Sequence, residues 1–477
     1  MLGSMVEHEA GDAGGRRHVA ESVATLAAGD AINKSARFAA IVVLTRALPL
    51  DQYGLLNLGV ALGGIAVVIM RLGLPDLGAR EIAIAPGRRE ELAARIVTPQ
   101  VVGLVTLTLL ACAVVLAVEP RSAPFVLLSG ASTLGLALSA DWLLRGSCRM
   151  IALAISSALG GLVALGGALV VAASSDSATA GLAALALGEL AAAAWTWRSA
   201  QLRRLPRPTL RGLSRLLRQS WPLAIAGAVT YAYTANIDTV LLAAIRSVEE
   251  AGLYSAPYRL FLALNAVGVF AAYALLPFAS RAFDAGAGAE AERLIVSCLP
   301  ALAGFGLLCL GIAELLGAQV LEILFGKPFA AMSTTFLLLC AALPWYAIGY
   351  PAGYSAIASG RHRRLLAGAS VAAALNIILN IALIAPLGAE GAAVATTVAV
   401  LAAALTWLAV QRLLVRVLPL ICILAVATVA AAAVATVDAI RAEVGVATLA
   451  TGLGLLLVGG PDGLKRVLRE RSRPRRA

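Results

Sequence analysis

The sequence predicts an all-α polytopic membrane protein: about fourteen transmembrane helices, in two related six-helix lobes followed by a C-terminal helix pair. Composition, the placement of basic residues and an internal repeat each point there. The chain has 477 residues, 60% of them hydrophobic and 14% charged, with a mean hydropathy of +0.88. Soluble domains carry about 25% charged residues. A chain this apolar needs lipid, not water, around most of its surface.

Apolar stretches of membrane-crossing length recur along nearly the whole chain. Their centres lie near residues 34, 64, 107, 134, 162, 188, 233, 266, 305, 341, 375, 401, 427 and 452. The first begins about twenty residues in, carries internal charge and has no small-residue cleavage site, so it reads as a retained span. With the amino terminus inside, the connectors alternate in and out. Thirty of the 38 Lys and Arg then fall in inside connectors or tails. Five fall outside (Arg46, Arg121, Arg246, Lys327 and Arg441) and three within spans (Lys34, Arg37 and Arg259). This asymmetry obeys the positive-inside rule, and one missed helix would scramble it.

The expected organisation is a cytoplasmic tail over 1–20, an N-lobe over 21–198 and a cytoplasmic linker over 199–220. A C-lobe over 221–412, a final helix pair over 413–460 and a basic cytoplasmic tail over 461–477 follow. The linker holds RRLPRPTLRGLSRLLRQS, whose Leu and Arg pattern suits a segment lying flat on the membrane. A repeat supports the division. Arg46 and Arg246, Gly54 and Gly252, Pro75 and Pro277, and Arg80 and Arg281 recur in order, each pair about 200 residues apart. Both halves begin inside, so the repeat is parallel, about an axis along the membrane normal. The basic tail, KRVLRERSRPRRA, reads as an anchor to anionic lipid rather than a nucleic-acid arm.

Ionisable residues inside the spans carry the functional signal. Asp30, Lys34 and Arg37 follow an i, i+4, i+7 spacing that puts them on one helix face. Each costs roughly 2.5–3.5 kcal/mol near a bilayer centre, so the three need partners or a wet cavity. The simplest reading is a polar, net-cationic wall facing an internal cavity, as in a transporter of something anionic. The six cysteines show no CxxC, and the three histidines lie in tails or a loop. A metal site and a cofactor are not expected. No Walker motif occurs, and the outside connectors are too short for a catalytic domain, so the chain is not expected to be an enzyme.

The segment LTRALPLDQYGLLNLGVALGGIAVVIMRLGLPDLGAREIA resembles the start of Wzx-type polysaccharide flippases. Its Arg-x-Leu end to the first span, acidic-x-Tyr-Gly-Leu connector and Gly-rich second span carry the likeness. IDTVLLAAIRSVEEAGLYSAPYRL repeats it in the second half. So does GYPAGYSAIASGRHRRLLAGASVAAALNIILNIALIAPLGAEGAAVATTVA, with paired Asn residues and a Pro-x-Gly-x-x-Gly-Ala-Ala-x-Ala-Thr connector. The resemblance spans roughly residues 20–415. It reaches the wider superfamily of multidrug, oligosaccharidyl-lipid and polysaccharide exporters, which also holds lipid II flippases.

What the resemblance implies is a two-lobed transporter with a central cavity, in a bacterial cytoplasmic membrane with both termini cytoplasmic. Its cargo would be an undecaprenyl-diphosphate-linked oligosaccharide, moved from inner to outer leaflet by alternating access for surface polysaccharide biosynthesis. Coupling to H⁺ or Na⁺ is implied, a monomer is expected, and polymerase or assembly proteins are the implied protein partners. A multidrug or cation antiporter on the same scaffold is the alternative, and it should show more cavity carboxylates than cations.

A diphosphate needs cations, so Lys34, Arg37 and Arg259 are the candidate anion ligands. Asn376 and Asn380 share a face of the eleventh span, suited to another helix or to sugar hydroxyls. Tyr258 is a candidate sugar-stacking ring. Asp30 is placed to pair with Lys34 and to release it when phosphate enters. Glu189 is alone in ALALGELAAAAW, where burial disfavours its charge, so it suits proton coupling. Asp238 is a candidate partner of Arg259. Asp141 and Arg145, at i, i+4 near the inner boundary, read as a structural pair or gate latch.

Overall fold

In a computed structural model, residues 25–26, 28–118, 123–202, 207–210, 212–221, 237–359 and 361–459 are described. Their ordered elements are all helical, with no strand among them. The N-terminal tail, most of the expected seventh span, including its centre near 233, and the basic C-terminal tail lie outside the described residues. The chain divides into two compact units, Met1–Tyr231 and Ala232–Ala477.

In the first unit, α1 runs over 28–47 and stops before Pro49, which cannot continue its hydrogen bonds. α2 (Leu50–Arg71) ends at left-handed Leu72 and Gly73, and Pro75 then opens α3 (Leu74–Ile84). α4 is Arg89–Val118. The apolar stretch centred near 134 is broken into α5 (Ala123–Ser132), α6 (Leu134–Leu138) and α7 (Asp141–Gly146). α8 (Met150–Ser174) and α9 (Ala178–Ser199) lie so close that a Cβ on Gly188 would stand 2.5 Å from the Gly160 carbonyl oxygen. Small residues allow this approach, which is how helices associate without a hydrophobic drive between them. α1 meets α8 in the same way: Gly29 abuts Ala154 and Gly161 abuts Asn33.

α10 covers 213–221, inside the expected linker. Its helix also packs on the lobe. Leu216 is buried with Leu74 and Ile82 of α3, Leu92 and Ile96 of α4, and Trp142 of α7. A leucine removed from solvent contributes roughly 1.5–3 kcal/mol, enough to hold the helix on the lobe.

The second unit holds α11 (Ile237–Ile245), α12 (Val248–Asp284), α13 (Gly288–Phe325), α14 (Ser333–Cys340), α15 (Leu343–Ala358), α16 (His362–Val410), α17 (Leu418–Thr436) and α18 (Arg441–Gly459). α16 is a hairpin of two helices. Gly388 has φ 58° and ψ −132°, a conformation open almost only to glycine, and Pro386 lies two residues before it. The chain reverses there, which brings Gly391 against the carbonyl oxygen of Leu383. Eleven described stretches are long and apolar enough to cross a membrane. One of them is this hairpin, which holds both of the spans expected near 375 and 401. The final helix is no loose appendage: α18 packs along α13, with Gly304 against Gly452 and Gly311 against Leu449.

Candidate functional site

Each lobe carries its own polar centre. In the first unit, Arg37 of α1 reaches Glu189 of α9, guanidinium to carboxylate at 2.6 Å. Its Nε donates to Asn33 Oδ1 at 2.9 Å. The guanidinium crosses over α8 at Gly160, where a Cβ would stand 3.6 Å from it. One turn away, Lys34 pairs with Asp30 at 2.8 Å.

Two expectations are corrected here. Glu189 is not a lone carboxyl; a half-buried arginine neutralises it. The net-cationic wall is not cationic either, since Asp30, Lys34, Arg37 and Glu189 balance. The sequence hides this because Glu189 lies 152 residues beyond Arg37, and only helix packing joins them.

In the second unit, Asp238 of α11 is buried, 3% exposed. Its Oδ2 accepts from Tyr254 Oη at 2.9 Å and from Thr396 Oγ1 at 2.9 Å. Its Oδ1 accepts from Asn380 Nδ2 at 3.4 Å, and the same amide donates to the Asn376 carbonyl at 2.9 Å. Among the described residues the partners of Asp238 are therefore neutral donors, and Arg259, half-buried on α12, is not one of them. That corrects the expected Asp238–Arg259 pairing.

The hairpin explains the assembly. Asn380 lies eight residues before Gly388 and Thr396 eight after, so reversal at the glycine sets them level. Asn376 Oδ1 and Asn380 Oδ1 are buried without a hydrogen-bond partner. An uncompensated carboxylate beside two orphaned amide oxygens is an oxygen-only set, which suits a proton or a small hard cation.

Both asparagines and Tyr258 are buried in this lobe, which removes them from an exposed sugar surface. Tyr258 packs between Tyr254, with ring centroids 5.5 Å apart, and Phe261, at 5.8 Å. The stack continues through Tyr346 and Tyr350 to Trp407. By residue type Thr396 gives no signal in sequence, and Tyr254 reads there as an interfacial belt tyrosine rather than a partner of Asp238. Their only signal is position, Thr396 mirroring Asn380 about Gly388 and Tyr254 following the short α11–α12 turn.

At the other end of the first unit, Arg145 pairs with Asp141 at 2.7 Å and also reaches Asp76 at 3.4 Å. Arg71 stands 3.8 Å from Asp141. The expected pair is thus part of a four-residue network joining α2, α3 and α7. Solvent-exposed pairs of this kind contribute little to stability individually.

The repeat reappears as matched helix caps. Gln52 Oε1 accepts from the N–H of Ala178, which opens α9, at 3.1 Å. Glu250 Oε1 accepts from the N–H of Ala389, which opens the second arm of α16, at 2.9 Å. Gln52 and Glu250 are 198 residues apart, the same interval as Gly54 and Gly252. Arg246 adds to the C-lobe cap, bonding Glu250 at 3.1 Å and the Ala385 carbonyl at 3.3 Å.

A model of the family described as "Polysaccharide biosynthesis protein" matches residues 19–283. No curated protein matches the chain in sequence. Solved structures share its fold at low identity. Lipid II flippase MurJ in an inward closed conformation is 11% identical with a TM-score of 0.70, covering 93% of this chain and 99% of that one. A multidrug resistance MATE family transporter in an inward-facing conformation is 12% identical with a TM-score of 0.58, covering 82% and 97%. A MOP superfamily transporter from Pyrococcus furiosus, described by the reverse polarity of its binding pocket, is 13% identical with a TM-score of 0.53, covering 83% and 95%.

Proposed function

The chain belongs to the polysaccharide biosynthesis protein family, and from that premise we propose that it is a flippase. It carries an undecaprenyl-diphosphate-linked oligosaccharide from the inner to the outer leaflet of the bacterial cytoplasmic membrane by alternating access. It supplies no catalytic chemistry; its work is binding and conformational change. The observation that carries this reading is Arg37. A guanidinium within an apolar helix is retained at a cost, and here it is held in an extended fork by Asn33 and Glu189. A diphosphate offers that fork the same bidentate geometry with more charge, so it displaces Glu189. Lys34 adds a second cation on the same face, freed from Asp30 in the same exchange.

The Asp238 centre is the coupling site in this proposal. Asp238, Asn376, Asn380, Thr396 and Tyr254 would hold a proton or Na⁺, which supplies the driving force by entering down its gradient. A cation antiporter is the second reading, favoured by the charge balance around Arg37 and by the uncompensated Asp238. The deciding experiment is leaflet inversion of the lipid-linked oligosaccharide in proteoliposomes, read by protection from an external sugar-modifying enzyme. Protein-dependent inversion that is lost in Arg37→Ala is the expected result. Absence of inversion with the host's own lipid-linked glycan overturns the flippase reading and leaves the antiporter.

A further inference from the structure

One carboxyl stands apart from both centres. Glu314 lies in the middle of α13, fully buried, at 0% exposure. Among the described residues neither of its oxygens has a hydrogen-bond partner at normal geometry, and Thr448 of α18 is the one hydroxyl that interacts with it. It sits where α13 packs closely on α18: a Cβ on Gly445 would stand 2.6 Å from Leu315 and 3.3 Å from Glu314 Cβ. Seven residues on, Gly452 abuts Gly304. The side chains that interact with the carboxyl are Thr448 of α18 and Cys340 of α14. No charged group from α12, α14, α15, α17 or α18 interacts with it among the described residues.

An ionised carboxylate buried without a cation costs several kcal/mol, and a group so placed takes up a proton instead. Thr448 supplies a route. It also lines a groove of about 450 Å³ between α13, α17 and α18, walled mostly by apolar side chains such as Leu307, Val426 and Val444, with Thr451 beside them. The carboxyl and the groove thus lie on either side of one threonine.

We propose that Glu314 is a proton-binding site, reached from the α13–α17–α18 groove past Thr448, and that its proton is bound while α18 is docked on α13. Glu189, the carboxyl whose isolation in sequence suggested this role, is held by Arg37; Glu314 has the isolation that Glu189 lacks. Separation of α18 from α13 would admit water and let the proton leave. Proton binding is thereby tied to the position of the C-terminal helix pair. This inference does not depend on the cargo or on the ion at Asp238.

The test uses the full-length protein in lipid nanodiscs and needs no cargo. A hydrophobic carbodiimide modifies carboxyl groups that are protonated and in an apolar setting, and mass spectrometry maps the adduct. The expected result is an adduct on Glu314 at acidic pH that declines several-fold as pH rises. Infrared difference spectra should show a protonated-carboxyl band that titrates over the same range and is missing in Glu314→Gln. A Glu314 that stays unmodified at every pH, or a band unchanged by the substitution, overturns the proposal. The carbodiimide arm uses the native sequence, so it stands even where Glu314→Gln fails to fold. Failure here leaves leaflet inversion untouched, so the two readings fail separately.

Discussion

The two lobes place opposite solutions at matching positions. Arg37 lies nine residues before Arg46, and Asp238 lies eight before Arg246, its repeat partner. In the first lobe that position holds a cation, answered by the carboxylate of Glu189 on the sixth span. In the second it holds a carboxylate, answered by Tyr254, Asn380 and Thr396, none of them charged. The helices between differ accordingly. Gly160 of α8 leaves room for a guanidinium to cross, whereas Asn376 and Asn380 fill the equivalent helix with amides. A duplicated scaffold thus keeps its backbone contacts and diverges in charge. One lobe answers its charge with an opposite charge, and the other answers it with neutral donors.

This contrast breaks most sharply when each charge is removed. Glu189→Ala leaves Arg37 without a counter-charge. Breaking a fully buried pair costs about 3–5 kcal/mol, and the partial exposure of this one lowers that to roughly 2 kcal/mol. Arg37→Met with Glu189→Leu should recover most of the lost melting temperature in detergent while transport stays absent. Asp238→Asn should behave oppositely. It should barely move the melting temperature, within about 1 kcal/mol, and should abolish any rise in melting temperature on adding Na⁺ or lowering pH, because ligand binding to the native state is what raises it. Equal destabilisation by Glu189→Ala and Asp238→Asn would erase the distinction between the lobes.

A smaller effect tests what aligns the C-lobe centre. Gly388→Ala forces a side chain into a glycine-only conformation and against Glu250 Oε1. It should cost about 1–3 kcal/mol, with loss of the Na⁺ or pH response as the hairpin misaligns Asn380 and Thr396. Thermal unfolding with and without the cation separates these two effects. The smallest effect tests the shared part of the repeat. Gln52→Ala and Glu250→Ala each remove one helix cap and should each cost about 1 kcal/mol. A cost confined to one lobe would show that the caps are not equivalent.

The asymmetry of these sites explains how far they were legible. Asp30 with Lys34 and Asp141 with Arg145 lie four residues apart, and helical geometry alone brings them together. Asn376 and Asn380 declared a shared face for the same reason. Arg37 with Glu189 and Asp238 with Thr396 are joined across 152 and 158 residues, where no local periodicity reaches. Glu314 was passed over because LCLGIAELLGAQV reads as one more apolar span with a single polar interruption. Its isolation is visible only once α18 is seen against α13.

What the sequence determined by itself was the all-helical membrane fold, its repeated halves and the residues that carry charge within it. Hydropathy, basic-residue asymmetry and glycine and proline punctuation are properties of the chain read along its length. What only the tertiary structure decided was which charges cancel and which are left alone. That depends on contacts between helices distant in sequence. There, the absence of water makes an unpaired carboxylate costly, and a glycine's missing side chain decides who reaches whom.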